Sequence, residues 1–213
     1  MKRFGRLVLF ETSGITYEAI SGHPDIFFCK VNDRLIVAPN LPEKLKSFLV
    51  KKNISFTEGE QTVGSKYPAT AAYNVVSTEK YLFHNFRYTD SKINGLAGDL
   101  DLIHLNQGYC RCNLLPLKND HYITSDEGIG RVLEYYKLDV LFVDPKDILL
   151  PGTKHGFFSG CCGVWENKVF IIGSLDHFGD GRKVLEYLTL HNYEIIELYD
   201  GPLFDGGSLL FIT

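Results

Sequence analysis

A pattern of roughly forty residues recurs four times along this chain, and it constrains the fold more than any single motif does. Each copy reads as an apolar strand rich in small residues, a second strand, an amphipathic helix and a closing strand. Such a unit cannot bury its apolar faces alone, so its neighbours must cover them. The period therefore predicts a ring of similar units, with any chemistry on the axis where they converge.

The third copy is the clearest. Gly108–Leu117 is expected to be a strand, with Cys110 and Cys112 alternating onto one face, and Lys118-Asn119-Asp120 turns it into His121–Thr124. Ser125 or Asp126 can cap a helix whose Ile129, Val132, Leu133 and Tyr136 follow the i, i+3, i+4, i+7 spacing of a buried stripe. Asp139–Val143 closes the unit. The fourth copy repeats the scheme with Gly156–Trp165, Lys168–Ile172, a helix over Arg182–His191 and Tyr193–Leu198. Residues 144–154, with two prolines and a glycine, read as a rim loop between these two units. The first copy is Asp25–Val31, Arg34–Ala38, a helix capped by Asn40 with Leu45, Phe48 and Leu49 inward, and Ile54–Phe56. The second is the most degraded: Ala71–Ser77, Tyr81–His84, a helix interrupted by glycine, and Asp101–Leu105.

Two ends remain. Arg6–Phe10 reads as a strand, and Gly201–Thr213 as two strand pieces without a helix. Joined, they make a fifth unit, so the expected architecture is a single α/β domain over residues 1–213, a five-bladed ββαβ propeller whose N-terminal strand completes the last blade. Closure removes exposed sheet edges; an open α/β sandwich is the alternative. A net charge of −4 gives no electrostatic case for a nucleic-acid or anionic-membrane partner. The apolar stretch Leu7–Phe10 stops at Glu11, too short for a signal sequence, and five cysteines suit a reducing compartment, so a cytoplasmic protein is expected. A metal set of Cys110, Cys112, Cys161 and His155 matches no common spacing, and neither a metal nor a cofactor is expected.

A five-unit ring of ββαβ modules resembles the pentein fold of the guanidino-group-modifying enzymes, among them arginine deiminases, dimethylarginine dimethylaminohydrolases and amidinotransferases. Gly22-His23-Pro24-Asp25-Ile26-Phe27-Phe28 resembles the segment whose Asp grips the guanidinium. Ile103-His104-Leu105-Asn106-Gln107-Gly108-Tyr109-Cys110 resembles the one carrying the catalytic histidine. Asp205-Gly206-Gly207-Ser208-Leu209-Leu210-Phe211-Ile212-Thr213 resembles the glycine-rich segment carrying the catalytic cysteine. Gln107–Tyr109 through Thr124–Ile129, with Tyr199–Asp205, is closer still to an uncharacterised bacterial family of that fold.

The resemblance implies a thiolate attacking the guanidinium carbon, a histidine moving protons and a carboxylate holding the cation. It makes His104 the catalytic candidate, with His155 behind it, and Asp25, Asn74, Asn106 and Asp205 the substrate-binding candidates. His23, His84, His121, His177 and His191 read as turn or surface residues. At the nucleophile's position, however, this chain has Leu210 or Phe211, and neither side chain can attack carbon. The expected function is accordingly binding of a small polar, arginine-like ligand in an axial pocket without the covalent cysteine step. The alternatives are an enzyme with a nucleophile elsewhere (Cys110 or Cys161) or a water activated by His104, and an interaction protein like the ribosome anti-association factor that shares the five-unit ring.

Overall fold

The computed structural model of the chain describes residues 4–212. Among these residues twelve short strands form four three-stranded sheets, one per recurring unit. In the first, β1 (Phe28–Val31) pairs antiparallel with β2 (Arg34–Val37), and β2 pairs parallel with β3 (Phe56–Glu58) after the helix α1 (Glu43–Lys51). The second repeats this with β4 (Val76–Ser77), β5 (Tyr81–His84), α2 (Ser91–Leu96) and β6 (Asp101–His104). In the third, a one-turn helix α3 (Cys110–Asn113) leads into β7 (Leu114–Pro116), followed by β8 (His121–Thr124), α4 (Glu127–Tyr135) and β9 (Asp139–Phe142). The fourth comprises β10 (Cys162–Trp165), β11 (Lys168–Ile171), α5 (Gly181–Leu190) and β12 (Glu194–Glu197).

Local chemistry explains the elements. The hairpin turns place Asn32, Asp33, Asn119, Asp120 and Glu166 at φ between 47° and 63°. Asn and Asp tolerate this left-handed region better than other residues with a Cβ. Asp126 caps α4 by accepting from Ile129 N at 2.9 Å, and Ile129 and Leu133 carry its buried stripe. Asp90 caps α2 through Lys92 N and also accepts from Glu60 N, Gln61 N and the Tyr73 hydroxyl. A strand that is sheltered on both faces needs apolar side chains throughout, and Leu82, Phe83, Ile123, Val169 and Phe170 are fully buried. Three apolar clusters result, packed around the first and second, the second and third, and the third and fourth units.

Several expectations need correction. Among the described residues there are four sheets, and the strands expected for a fifth do not form a sheet. Residues 6–10 are not a strand, and Leu7, Val8 and Leu9 are exposed. The C-terminal segment forms only an isolated bridge, Leu149 with Phe204. Gly201, Pro202, Gly206 and Gly207 interrupt any strand there. Its amides are instead spent on neighbours: Phe204 N on Ile172 O, Gly206 N and Ser208 N on Gly160 O, and Leu209 N on Cys162 O. Gly207 O in turn accepts from Asp25 N, so this segment bonds to both the fourth unit and the first.

The first strand of each unit also begins later than expected. The chain enters it through a tight turn, helical in three units (Pro24–Ile26, α3 and Ser159–Cys161) and closed by Asn74 N on Ala71 O in the second. Cys110 and Cys112 therefore sit on a helical turn rather than alternating on a strand. Asn40 does not cap α1. Its amide group bonds both ways to the Val63 backbone at 2.9 Å, and Pro42 stands at the helix start. No helix of the described residues is long and apolar enough to cross a membrane.

Candidate functional site

The four entry turns point their side chains at one place. From the first come Asp25 and the preceding His23, from the second Asn74, from the third Arg111 and Cys112, and from the fourth Ser159. The C-terminal segment adds Asp205 and Ser208. All but Arg111, which is half-buried, are enclosed.

Asn74 ties the cluster together. Its Nδ2 donates to Asp25 O at 3.1 Å and Cys112 Sγ at 3.3 Å, and its Oδ1 accepts from Arg111 N at 2.7 Å and Cys112 N at 3.2 Å. Asp25 Oδ2 accepts from Cys112 Sγ at 3.1 Å and Ser208 Oγ at 2.9 Å. The Arg111 guanidinium donates to Ser159 Oγ at 2.6 Å. Asp205 accepts from Gly207 N at 3.0 Å and Phe157 N at 2.9 Å, and its Oδ1 lies 3.9 Å from His23 Nδ1. Two polar atoms of this cluster are buried without a hydrogen-bond partner, Asp25 Oδ1 and His23 Nδ1.

Two glycines make this closeness possible. Gly207 has φ +73°, and a Cβ there would strike the backbone and side chain of His23. A Cβ on Gly160 would overlap the Asp205 carboxyl. Of the sequence pair Gly206-Gly207, it is Gly207 that serves close backbone approach to the cluster.

Burial sets the electrostatics. It pushes the Asp205 carboxyl up to about 6; His23 and the two amides oppose this, and Asp25 adds to it. Burial also pushes the Cys112 thiol well above its ordinary value, reinforced by Asp25 and then Asp205. Cys112 is accordingly a neutral thiol that donates its proton toward Asp25. The same desolvation draws Arg111 below its usual value, with Asp25 opposing.

An open cavity of about 640 Å³ lies over this cluster. Its buried floor is His23 and Asp205, and its walls are Tyr17–Ala19 on one side and Leu150–Gly152 on the other. Its lining carries two carboxyl groups, Glu18 and Asp205, one imidazole, His23, and the Tyr17 phenol, with no lysine or arginine among them.

Of the residues singled out from sequence, Asp25, Asn74 and Asp205 meet here. His104 and Asn106 lie elsewhere. His104 is exposed at the end of β6, its Nδ1 accepting from Phe86 N at 3.4 Å, and exposed Asn106 gives its carbonyl to Asn85. His155 bonds the Gly156 carbonyl. Cys110 and Cys161 donate to the carbonyls of Gln107 and Phe157 and do not join Cys112. Two histidines read as turn or surface residues are buried. His23 is one. His84 is the other, bonded to Gly108 O at 2.9 Å and Thr89 Oγ1 at 2.7 Å. Phe211 packs on Trp165 and Phe170, with ring centroids 6.0 and 5.0 Å apart, and Leu210 on the first apolar cluster. Sequence reasoning missed His23, Arg111 and Ser159, and weighed Cys112 only as a metal ligand beside Cys110, Cys161 and His155. The available signal was that each opens a unit just ahead of its first strand.

Comparison with known proteins fits this architecture. A family of unknown function (DUF6873) matches residues 1–210. No curated protein matches the chain in sequence. Among solved structures, the C. jejuni agmatine deiminase is similar with a TM-score of 0.54 at 13% identity, covering 78% of this chain and 62% of its own. The amidinotransferase SxtG of Microseira wollei, from the saxitoxin biosynthetic pathway, gives 0.54 at 11% identity, over 88% of this chain and 65% of its own. The Pseudomonas aeruginosa DDAH, in complex with citrulline, gives 0.50 at 8% identity, over 87% and 70%. The chain thus spans about two thirds of the length of these enzymes, and at such identities the likeness is one of fold. The chain belongs to the DUF6873 family, and its fold is that of the penteins.

Proposed function

We propose that this protein binds a small polar metabolite bearing a guanidino or similar cationic group in the cavity over His23 and Asp205, without a covalent step from the C-terminal segment. In this reading the molecule is a five-fold ring, with the two chain ends standing where a fifth blade would be. The observation that carries the proposal is the cavity's charge: two carboxylates and one imidazole, with no fixed cation on the lining. A buried carboxylate on the floor of a cavity recognises a planar cation through paired, charge-assisted hydrogen bonds. Glu18 on the rim adds steering.

The position of Phe211 supports binding rather than the covalent chemistry of the fold, because its ring is engaged in an aromatic cluster. A nucleophile elsewhere would have to be Cys112, and a neutral thiol tied to Asp25 is a poor one.

Titration calorimetry with agmatine, arginine and dimethylarginine tests the proposal. Saturable one-to-one binding is expected for at least one of them, weakened about tenfold or more in Asp205→Asn, with no ammonia or amine released. Flat traces across all three would refute it. Turnover abolished by Cys112→Ser in a folded variant would favour an enzyme instead.

A further inference from the structure

Beneath the cavity floor, three side chains of different chemistry converge. The His23 ring, the Asp25 carboxyl and the Cys112 thiol each offer one ligand atom, all within 4.8 Å of one another, and all three residues are buried. They come from two units. His23 and Asp25 flank Pro24 at the turn opening the first, and Cys112 lies on α3 of the third. The hydrogen bonds just described leave His23 Nδ1 and Asp25 Oδ1 without partners. Native interiors rarely leave a buried polar atom unpaired, and two such atoms in one cluster mark a missing group. Asp205 Oδ1, 3.9 Å from His23 Nδ1, borders the same space. Two buried carboxyl groups thus face an imidazole and a thiol, while the nearest fixed cation, Arg111, is bonded to Ser159. Buried charge of this kind is ordinarily paired or coordinates a metal.

We propose that His23, Asp25 and Cys112 form a site for one divalent cation of the zinc class, with its remaining coordination directed to the cavity. Imidazole, carboxylate and thiolate together are a zinc or cobalt donor set, whereas calcium and magnesium call for oxygen ligands. On binding, the Cys112 S–H bond is replaced by a metal–sulfur bond and its proton leaves to solvent through the cavity. The proposal goes beyond the guanidino-binding reading and does not depend on it. A second cluster, His121, Asp139 and His191, has ligand atoms equally close together. It is more exposed and leaves one buried atom unpartnered, His191 Nε2, against two here, and both rings lie 3.5 and 3.7 Å from Asp139, so it serves as the control.

Cobalt(II) titration of the reduced, metal-free full chain tests the site. One equivalent should bind with a thiolate-to-cobalt charge-transfer band in the near ultraviolet, and zinc should displace it. Cys112→Ser should abolish the band and His23→Ala should weaken cobalt affinity at least tenfold. The double variant His121→Ala/His191→Ala should change neither. The band and the stoichiometry are read on the unaltered chain, so the test does not rest on a variant's folding. No band in the wild type, a band that persists in folded Cys112→Ser, or uptake lost in the double variant would each overturn the proposal. Loss of the metal site with intact agmatine binding would leave the pocket reading standing, and the reverse outcome would leave the metal site.

Discussion

Ser208 shows how closely single residues hold the axis. Its φ of 71° lies in the left-handed region, which a side chain seldom adopts without compensation, and its hydroxyl reaches Asp25 Oδ2 at 2.9 Å and Ser159 O at 3.2 Å. Ser208→Ala should lower stability by about 1–2 kcal/mol, because a buried acceptor loses a donor. Gly207→Ala should cost more than about 2 kcal/mol, since it adds a Cβ at φ +73° against His23. Chemical denaturation of the two variants beside the wild type checks both values. Phe211 contrasts with them. It is half-buried and remote in role, so Phe211→Ala should cost about 1–2 kcal/mol and leave ligand affinity unchanged. A binding loss in that variant would mean that the C-terminal position still belongs to the site.

At the scale of elements, the two Asp caps should differ. Asp126 has one capping bond to α4, so Asp126→Ala should cost about 1 kcal/mol. Buried Asp90 caps α2 while also holding Glu60 N, Gln61 N and the Tyr73 hydroxyl, so Asp90→Ala should cost about 3 kcal/mol or more. Thermal melts would rank them; equal effects would contradict the capping account. The second strands β2, β5, β8 and β11 were legible in the sequence to within a residue, because turn residues bracket short apolar runs. The first strands were not, because a short apolar stretch has no period to distinguish a strand from a buried helical turn. The site residues His23, Asp25, Arg111, Cys112 and Ser159 lie in or beside those misread turns. His23 was illegible for a further reason. Gly-His-Pro-Asp reads as a surface turn until Gly207, from the far end of the chain, packs over it.

Across the whole molecule, pH offers a test of the buried interior. Burial draws the fully enclosed His84 down to about 4. A carbonyl can only accept, so Nε2 carries the proton toward Gly108 O and Nδ1 accepts from Thr89. Between pH 4 and 6.5 the unfolded chain holds a proton on this ring that the folded chain does not. Stability therefore falls as pH drops through that window, by on the order of 3 kcal/mol in total. Asp205, raised to about 6, acts in the opposite direction: its contribution is present at low pH and is lost as pH rises through 6. The two offset each other in the raw curve, so the informative quantity is the difference between wild type and His84→Gln. The wild type's advantage should shrink steadily from pH 6.5 toward 4; a difference independent of pH would contradict a neutral, buried His84.

The central claim is that the functional axis runs through His23 and Asp205 rather than through the exposed His104. Imidazole-region nitrogen–proton NMR of the seven histidines, recorded during an agmatine titration, reads this directly. The resonances removed by His23→Gln should move saturably with agmatine, and those of His104 should not. Movement of His104 with His23 unchanged would contradict the account.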